Sequence, residues 1–122
     1  MIPQRFNEIV KRRLQLIDET LGFKGQEYAG GQEDRLHNFK LGAEIQQITP
    51  AECLRGYWTK HVVSILDIIT LIARGKKLPS PAVVDEKIGD AINYLILLEG
   101  VIEDARQELE RKAILTHSAE GT

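Results

Sequence analysis

A chain of 122 residues with 43% hydrophobic content is long enough for one compact domain, residues 1–122, and too short for two. Its 16 basic and 18 acidic residues give a formal charge of -2 without a broad basic face, which argues against duplex nucleic acid as a partner. No apolar stretch reaches the roughly 20 residues of a membrane span. A lone cysteine is typical of the reducing cytoplasm, where we expect the protein to act.

The first predicted helix begins at Pro3, which fits a first helical turn, and stops near Gly22. Its apolar residues recur at steps of three and four: Phe6, Val10, Leu14, Ile17 and Leu21. Residues 23–31 lose this spacing and contain two adjacent glycines, which indicates a loop. A second helix is predicted over residues 33–47, although Gly42 disfavours it.

The third predicted helix has the clearest start. Thr49 is placed as its N-cap, Pro50 takes the first helical position, and Glu52 lies three residues after the cap, which is the pattern of a capping box. The helix is expected to run to Arg74, where Gly75 ends it.

A long fourth helix is predicted from the Ser80–Pro81 pair to about Leu109. It carries two apolar stripes. The first comprises Ile88, Ile92, Leu95, Leu98, Ile102, Ala105 and Leu109, and the second comprises Ala91, Tyr94, Leu97 and Val101. Two apolar sides need two partners, which we take to be the rest of the chain and a second copy. The predicted fold is therefore an all-α antiparallel bundle of about four helices that forms a homo-oligomer.

Carboxylates among apolar residues mark a candidate site on helices three and four. By spacing, Lys60, Ser64 and Asp67 share one face of helix three, and Glu86, Asp90 and Asn93 share one face of helix four, beside Tyr94. Antiparallel packing would bring three carboxylates together, an arrangement that suits Mg²⁺ or Mn²⁺ bound to phosphate. The alternative is a buried Lys60–Asp67 ion pair with a solvated first turn on helix four.

Polar residues on both sides of the glycine pair suit a nucleoside. Lys24, Glu27 and Tyr28 precede it, and Asp34, His37 and Asn38 follow it. The alternative is an ordinary surface loop with Tyr28 packed on the core. His61 has no metal-ligand partner at a characteristic spacing, and packing or capping is its simpler interpretation.

Four short motifs together resemble a known family. They are Lys24-x-x-Glu27-Tyr28, Asp34-x-Leu36-x-Asn38-Phe39, Lys60-His61 with Asp67, and Asp90-x-x-Asn93-Tyr94. They resemble the phage and bacterial proteins of the nucleotide modification associated domain group, which is similar to the MazG-like all-α nucleoside triphosphate pyrophosphohydrolases. The resemblance implies a MazG-like fold and acids that hold Mg²⁺ for hydrolysis between the α and β phosphates.

The resemblance places Asp67 and Asp90 on two of the four expected acid positions. Ser64 and Lys87 stand at the other two, and Glu86 is the carboxylate nearest to the fourth. The predicted catalytic and metal-binding residues are therefore Asp67, Glu86 and Asp90. The predicted substrate-binding residues are Lys24, Tyr28, Asp34, Asn38, Lys60, His61, Asn93 and Tyr94.

Three functions follow from these residues. The first is a Mg²⁺-dependent nucleoside triphosphate pyrophosphohydrolase. The second is a protein that binds or sequesters a nucleotide or nucleotide-derived signal without turnover, as a phage anti-defence protein would, and Ser64 and Lys87 favour it. The third is a purely structural helical oligomer in which the acids are solubilising charges.

Overall fold

The computed structural model describes residues 1–22, 34–75 and 77–120, apart from the side chains of the last two of these residues. This part of the chain is helical and contains no strand. Its helices are α1 (Pro3–Leu21), α2 (His37–Gln46), α3 (Pro50–Ala73) and α4 (Pro81–Glu120). The all-α prediction is confirmed. The predicted loop over residues 23–31, with Lys24 and Tyr28, lies outside the described residues.

The ends of α3 follow the predicted chemistry. The Thr49 hydroxyl accepts a hydrogen bond of 3.2 Å from the backbone N–H of Glu52, and the Glu52 carboxylate accepts one of 3.2 Å from the backbone N–H of Thr49. These bonds satisfy two donors that the first helical turn leaves free. After the helix, Gly75 adopts a φ of 67°, a left-handed conformation that glycine tolerates at little cost.

The helix α2 is shorter than predicted because a turn precedes it. The Asp34 carboxylate accepts a hydrogen bond of 2.9 Å from the backbone N–H of Leu36, and the Asp34 carbonyl accepts one of 3.1 Å from that of His37. Aspartate often forms such local bonds, which compete with helical ones. The helix therefore begins at His37.

The helices α3 and α4 form an antiparallel pair on which the other two helices lie. Leu54 and Val101 share the small core, whereas His61, further along α3, meets Asp90, earlier in α4. Residue numbers therefore rise along one helix as they fall along the other. The helix α2 packs on α3, and α1 packs on α4.

Few apolar side chains are buried. The buried hydrophobic residues are Phe39, Ala43, Cys53, Leu54 and Val101. Of the two stripes on α4, Tyr94, Leu97 and Val101 pack in the core, whereas Leu95, Ile102 and Leu109 are exposed. Leu98 of the first stripe also packs against the core, so only the exposed members of this stripe lack a partner among the described residues.

The helix α4 continues eleven residues past the predicted end. Its side chains at positions 105–118 are all exposed, so this C-terminal arm stands apart from the core. Among the described helices, none is both long and apolar enough to cross a membrane.

Candidate functional site

The first three turns of α4 position most of the candidate site. The Ser80 hydroxyl accepts a hydrogen bond of 3.3 Å from the backbone N–H of Val83, so the predicted cap fixes where α4 begins. Glu86, Asp90 and Asn93 then project from one side of the helix, toward α1. These residues are three and four positions apart, and residues at this spacing share one side of a helix, as the sequence predicts.

A cleft of about 370 Å³ lies between α1 and α4. It is lined by Arg13, Leu16, Ile17, Thr20, Ala82, Asp85, Glu86, Gly89, Asp90 and Asn93. The cleft therefore brings together three of the sequence-predicted residues, Glu86, Asp90 and Asn93. It also contains a guanidinium group that the sequence analysis did not select.

Arg13 is held in the cleft by Asp85 and Gly89. Its Nη1 donates a hydrogen bond of 3.2 Å to the Asp85 carbonyl, and its Nη2 lies 3.9 Å from Asp85 Oδ1. A Cβ atom on Gly89 would lie only 2.8 Å from Arg13 Nη1, so the missing side chain provides the room for the guanidinium. The Arg13 side chain is 18% exposed, and only one of its five N–H groups donates a hydrogen bond to a described residue.

The neighbouring Arg12 has a different role. Its Nη1 and Nη2 each donate a hydrogen bond of 2.7 Å to the two carboxylate oxygens of Asp85. Through these bonds and its charge, the guanidinium lowers the pKa of the Asp85 carboxyl below its ordinary value, and the pKa of Arg12 is raised in turn. The pair ties α1 to α4.

Asn93 offers an acceptor at the side of the cleft. Its Oδ1 is buried and accepts no hydrogen bond from any described residue. A buried acceptor without a donor costs about 1–3 kcal/mol, so an N–H or O–H group that reached it would be stabilised. The amide therefore suits a base edge or a sugar hydroxyl.

On its other side, Asp90 meets an aromatic cluster. His61 Nδ1 lies 3.7 Å from Asp90 Oδ2, a separation that becomes an ion pair when the imidazole is protonated. The His61 ring stacks on Tyr94 with centroids 4.8 Å apart. Burial, followed by the charge of Asp90, raises the pKa of the Tyr94 hydroxyl, which keeps it protonated.

The aromatic cluster continues to a second cavity of about 330 Å³ between α2 and α4. Tyr57 stacks parallel to Tyr94 at 6.4 Å, and Phe39 meets both rings edge to face at 6.1 Å. Asn38 lines this cavity with Phe39, Tyr57 and Tyr94. The predicted nucleoside-binding residues Asn38 and Tyr94 therefore lie together, and Tyr57 joins them.

Asp34 supports the fold in this structure. Beyond forming the turn before α2, it lies 2.6 Å from Lys40 Nζ, which is also 3.2 Å from Asp104 on α4. The hydrogen bond from Lys40 lowers the pKa of Asp34, and the same bond raises the pKa of Lys40. Asp34 therefore helps to join α2 to α4, away from the α1–α4 cleft.

Lys60 and Asp67 lie outside both cavities. Both residues are exposed on α3, and no ion pair joins them in the described structure, so the alternative of a buried pair does not hold. Ser64 Oγ donates a hydrogen bond of 3.1 Å to the Lys60 carbonyl. The shared face that the spacing predicts therefore does not line the cleft.

Within residues 1–22, 34–75 and 77–120, no three His, Cys, Asp or Glu side chains are grouped closely enough to hold a metal ion. Glu86 lies 3.6 Å from Lys87 Nζ. The cleft itself contributes two sequence-predicted carboxylates, Glu86 and Asp90, which fit a Mg²⁺ ion only if a ligand supplies further oxygens.

Comparison with known proteins yields no relative. No family model matches the chain, and neither a curated protein nor a solved structure gives a significant match. The geometry of the cleft is therefore the basis on which a function is inferred.

Proposed function

We propose that this chain is a nucleotide-binding protein whose ligand occupies the α1–α4 cleft. The observation that carries the proposal is that Glu86, Asp90 and Asn93, selected from the sequence, line one cleft together with Arg13. The volume of about 370 Å³ lies at the small end of the range for small-molecule sites, roughly 300–1,000 Å³.

Each of these side chains suits one part of a nucleotide. The planar guanidinium of Arg13 matches the geometry of a phosphate group and has donors to spare. The Asn93 amide pairs with a base edge or a ribose hydroxyl.

Two of the predicted metal ligands fit a nucleotide complex. Glu86 and Asp90 would hold Mg²⁺, or Mn²⁺ in its place, together with phosphate oxygens, because Mg²⁺ is often bound by one or two carboxylates and its substrate. When bound, the ion supplies charge that offsets the phosphates. The MazG-like fold and a homo-oligomer, a dimer or larger, belong to the same proposal, which the all-helical architecture supports.

The test is a panel of nucleotides with and without Mg²⁺, measured by thermal shift and then by calorimetry. We expect at least one nucleotide to raise the melting temperature. Arg13→Gln should raise its dissociation constant roughly tenfold or more, since a charge-assisted contact contributes about 1.5–3 kcal/mol. Arg5→Gln is the matched control, because Arg5 is exposed on α1, pairs with Glu8 of the same helix and does not line the cleft, and it should leave the affinity near that of the wild type.

Two results would contradict the proposal. One is that no nucleotide in the panel changes the melting temperature. The other is that Arg5→Gln and Arg13→Gln weaken binding equally, which would indicate that only overall charge matters.

Hydrolysis is the second candidate function, and one observation favours it: the two predicted metal ligands Glu86 and Asp90 line the same cleft as Arg13. A pyrophosphohydrolase should release pyrophosphate from a nucleoside triphosphate in the presence of Mg²⁺. Glu86→Gln and Asp90→Asn should each abolish this release while metal-free nucleotide still binds. Tight binding by the wild type without any release would instead identify a sequestering protein.

A further inference from the structure

An apolar seam runs along α4 without an intrachain partner. Its larger members, Ile88, Leu95, Ile102 and Leu109, are seven residues apart, and Ala91, Leu98 and Ala105 fall between them. The alternating steps of three and four are the heptad pattern by which helices pair with other helices. Leu95 is 47% exposed and Ile102 is 48% exposed, so these larger members are not covered by the described residues, whereas Leu98 packs against the core.

The seam lies on the side of α4 that faces away from α1 and α2. Gly100 precedes the core residue Val101 and meets Leu36 next to α2, whereas Ile102 follows Val101. Successive residues of a helix turn by about 100°, so Gly100 and Ile102 project to opposite sides. Gly89, which meets Arg13 of α1, lies on the same side as Gly100.

An apolar side of α3 extends the same surface. Cys53 precedes the core residue Leu54 and meets Gly42 of α2, whereas Leu66 and Ile69 project to the opposite side of α3 and are exposed. In an antiparallel pair of helices, the residues that directly follow the core residue on the two helices project to the same face of the pair. One face of the α3–α4 pair thus carries α1 and α2, and the other carries exposed apolar residues.

The accessible surface of the chain is larger than that of a compact fold of its size. A folded protein of 13.8 kDa has an accessible surface of roughly 6,600 Å². This chain has 9594 Å². The exposed C-terminal arm accounts for part of the excess, which is roughly 3,000 Å², and a stable interface of standard size buries only ~800 Å² on each partner.

We propose that a second copy of this chain covers this face, with the two α4 helices antiparallel and the two-fold axis near Ile102. In that arrangement, Glu99 and Arg106 flank the seam at the same heptad position. Glu99 of each copy then meets the partner's Arg106, which gives two charge pairs across the axis. Such flanking charges set the partner and orientation of paired helices. This inference rests on the homo-oligomer of the proposed function and names its interface, and its tests are independent of those for nucleotide binding.

Sedimentation of the full chain tests the interface. The wild type should be a dimer at micromolar concentration, and Ile102→Glu should be monomeric because it puts a charge in the seam. Ile114→Glu is the matched control, since Ile114 is 69% exposed on another side of the same helix, and it should remain dimeric. A monomeric wild type, or a dimeric Ile102→Glu, would overturn the proposal.

Charge exchange tests the orientation without touching the apolar residues. Glu99→Arg alone and Arg106→Glu alone each create like charges across the axis and should raise the dissociation constant, on the order of tenfold. The double variant Glu99→Arg with Arg106→Glu should restore dimerisation. A dimer that responds to neither single change would overturn the antiparallel arrangement.

Discussion

Arg13 and Arg12 are adjacent in the chain, yet their side chains make different contacts. Both terminal nitrogens of Arg12 donate hydrogen bonds to the Asp85 carboxylate, whereas Arg13 donates one hydrogen bond to a carbonyl and lines the cleft. Gly89 provides the room that the Arg13 guanidinium occupies against α4.

Gly89→Ala should therefore separate ligand binding from stability. The new Cβ would lie 2.8 Å from Arg13 Nη1, and the flexible arginine can move away, so the fold should tolerate the change. Alanine favours a helix over glycine by up to about 1 kcal/mol, so urea denaturation should show equal or greater stability. Calorimetry should show nucleotide affinity falling roughly tenfold as Arg13 leaves the cleft.

Gly56→Ala is the control for this prediction. Gly56 lies in α3 with no atom within 4 Å of its would-be Cβ, so it should give the helical gain without loss of affinity. Unchanged affinity in Gly89→Ala would show that Arg13 does not contact the ligand.

The Asp85 pair should make stability depend on acidity. Because the hydrogen bonds and charge of Arg12 lower the folded-state pKa of Asp85, its contribution is present above the unfolded pKa of about 3.9. This contribution is lost as the pH falls through the lower folded-state pKa. Asp85→Asn should be less stable than wild type at pH 7 and should lose less stability on acidification, as measured by urea denaturation across this range. Parallel curves for the two proteins would mean that the pair contributes nothing.

At the scale of single elements, a glycine that weakens the prediction of α2 turns out to be needed for its packing. A Cβ on Gly42 would lie 2.8 Å from Cys53 Sγ, a buried atom with little freedom to move. The glycine therefore sets how closely α2 approaches α3.

Gly42→Ala should lower the free energy of unfolding by about 1–2 kcal/mol, since overpacking typically costs about 1–3 kcal/mol and the helical gain offsets part of it. Urea denaturation measures this change. In a Cys53→Ala background the penalty should largely disappear, because the clashing sulfur is gone. A penalty that persists there would place the clash elsewhere.

The helix boundaries show what was predictable from sequence at this scale. Thr49, Ser80 and Gly75 act through neighbours within a few residues, so their roles can be recognised without the fold. The end of α4 is different. The C-terminal arm continues past the apolar stripe and is stabilised by short-range contacts such as the Glu108–Arg111 pair at 2.6 Å. Such contacts do not indicate where a helix ends.

Only part of the site could be predicted from the sequence, because the spacing of residues along a helix does not give the distances between helices. Spacing correctly groups Glu86, Asp90 and Asn93, because it fixes which side chains share a face of a helix. It does not fix which way that face points, so it could not show that Lys60 and Asp67 lie outside the cleft. Arg13 is 72 residues from Asp85 in the chain, and only the fold brings them together.

At the scale of the whole molecule, the exposed face of the α3–α4 pair should make stability depend on concentration. Association that occurs only in the folded state raises the melting temperature as protein concentration rises. Calorimetric scans at several concentrations should show this increase for the wild type and no increase for Ile102→Glu. A wild-type melting temperature independent of concentration would indicate that no such association accompanies folding.

Cys53 is the only cysteine of the chain, and its side chain is enclosed between α2 and α3, with its sulfur 3.8 Å from Gln46 Nε2. An alkylating reagent can reach this thiol only when α2 lifts from α3. Its labelling rate under native conditions, divided by the rate for the unfolded chain, therefore measures the equilibrium constant for that local opening. The native cysteine thus reports how often α2 separates from α3, and no other reactive residue has to be introduced for this measurement.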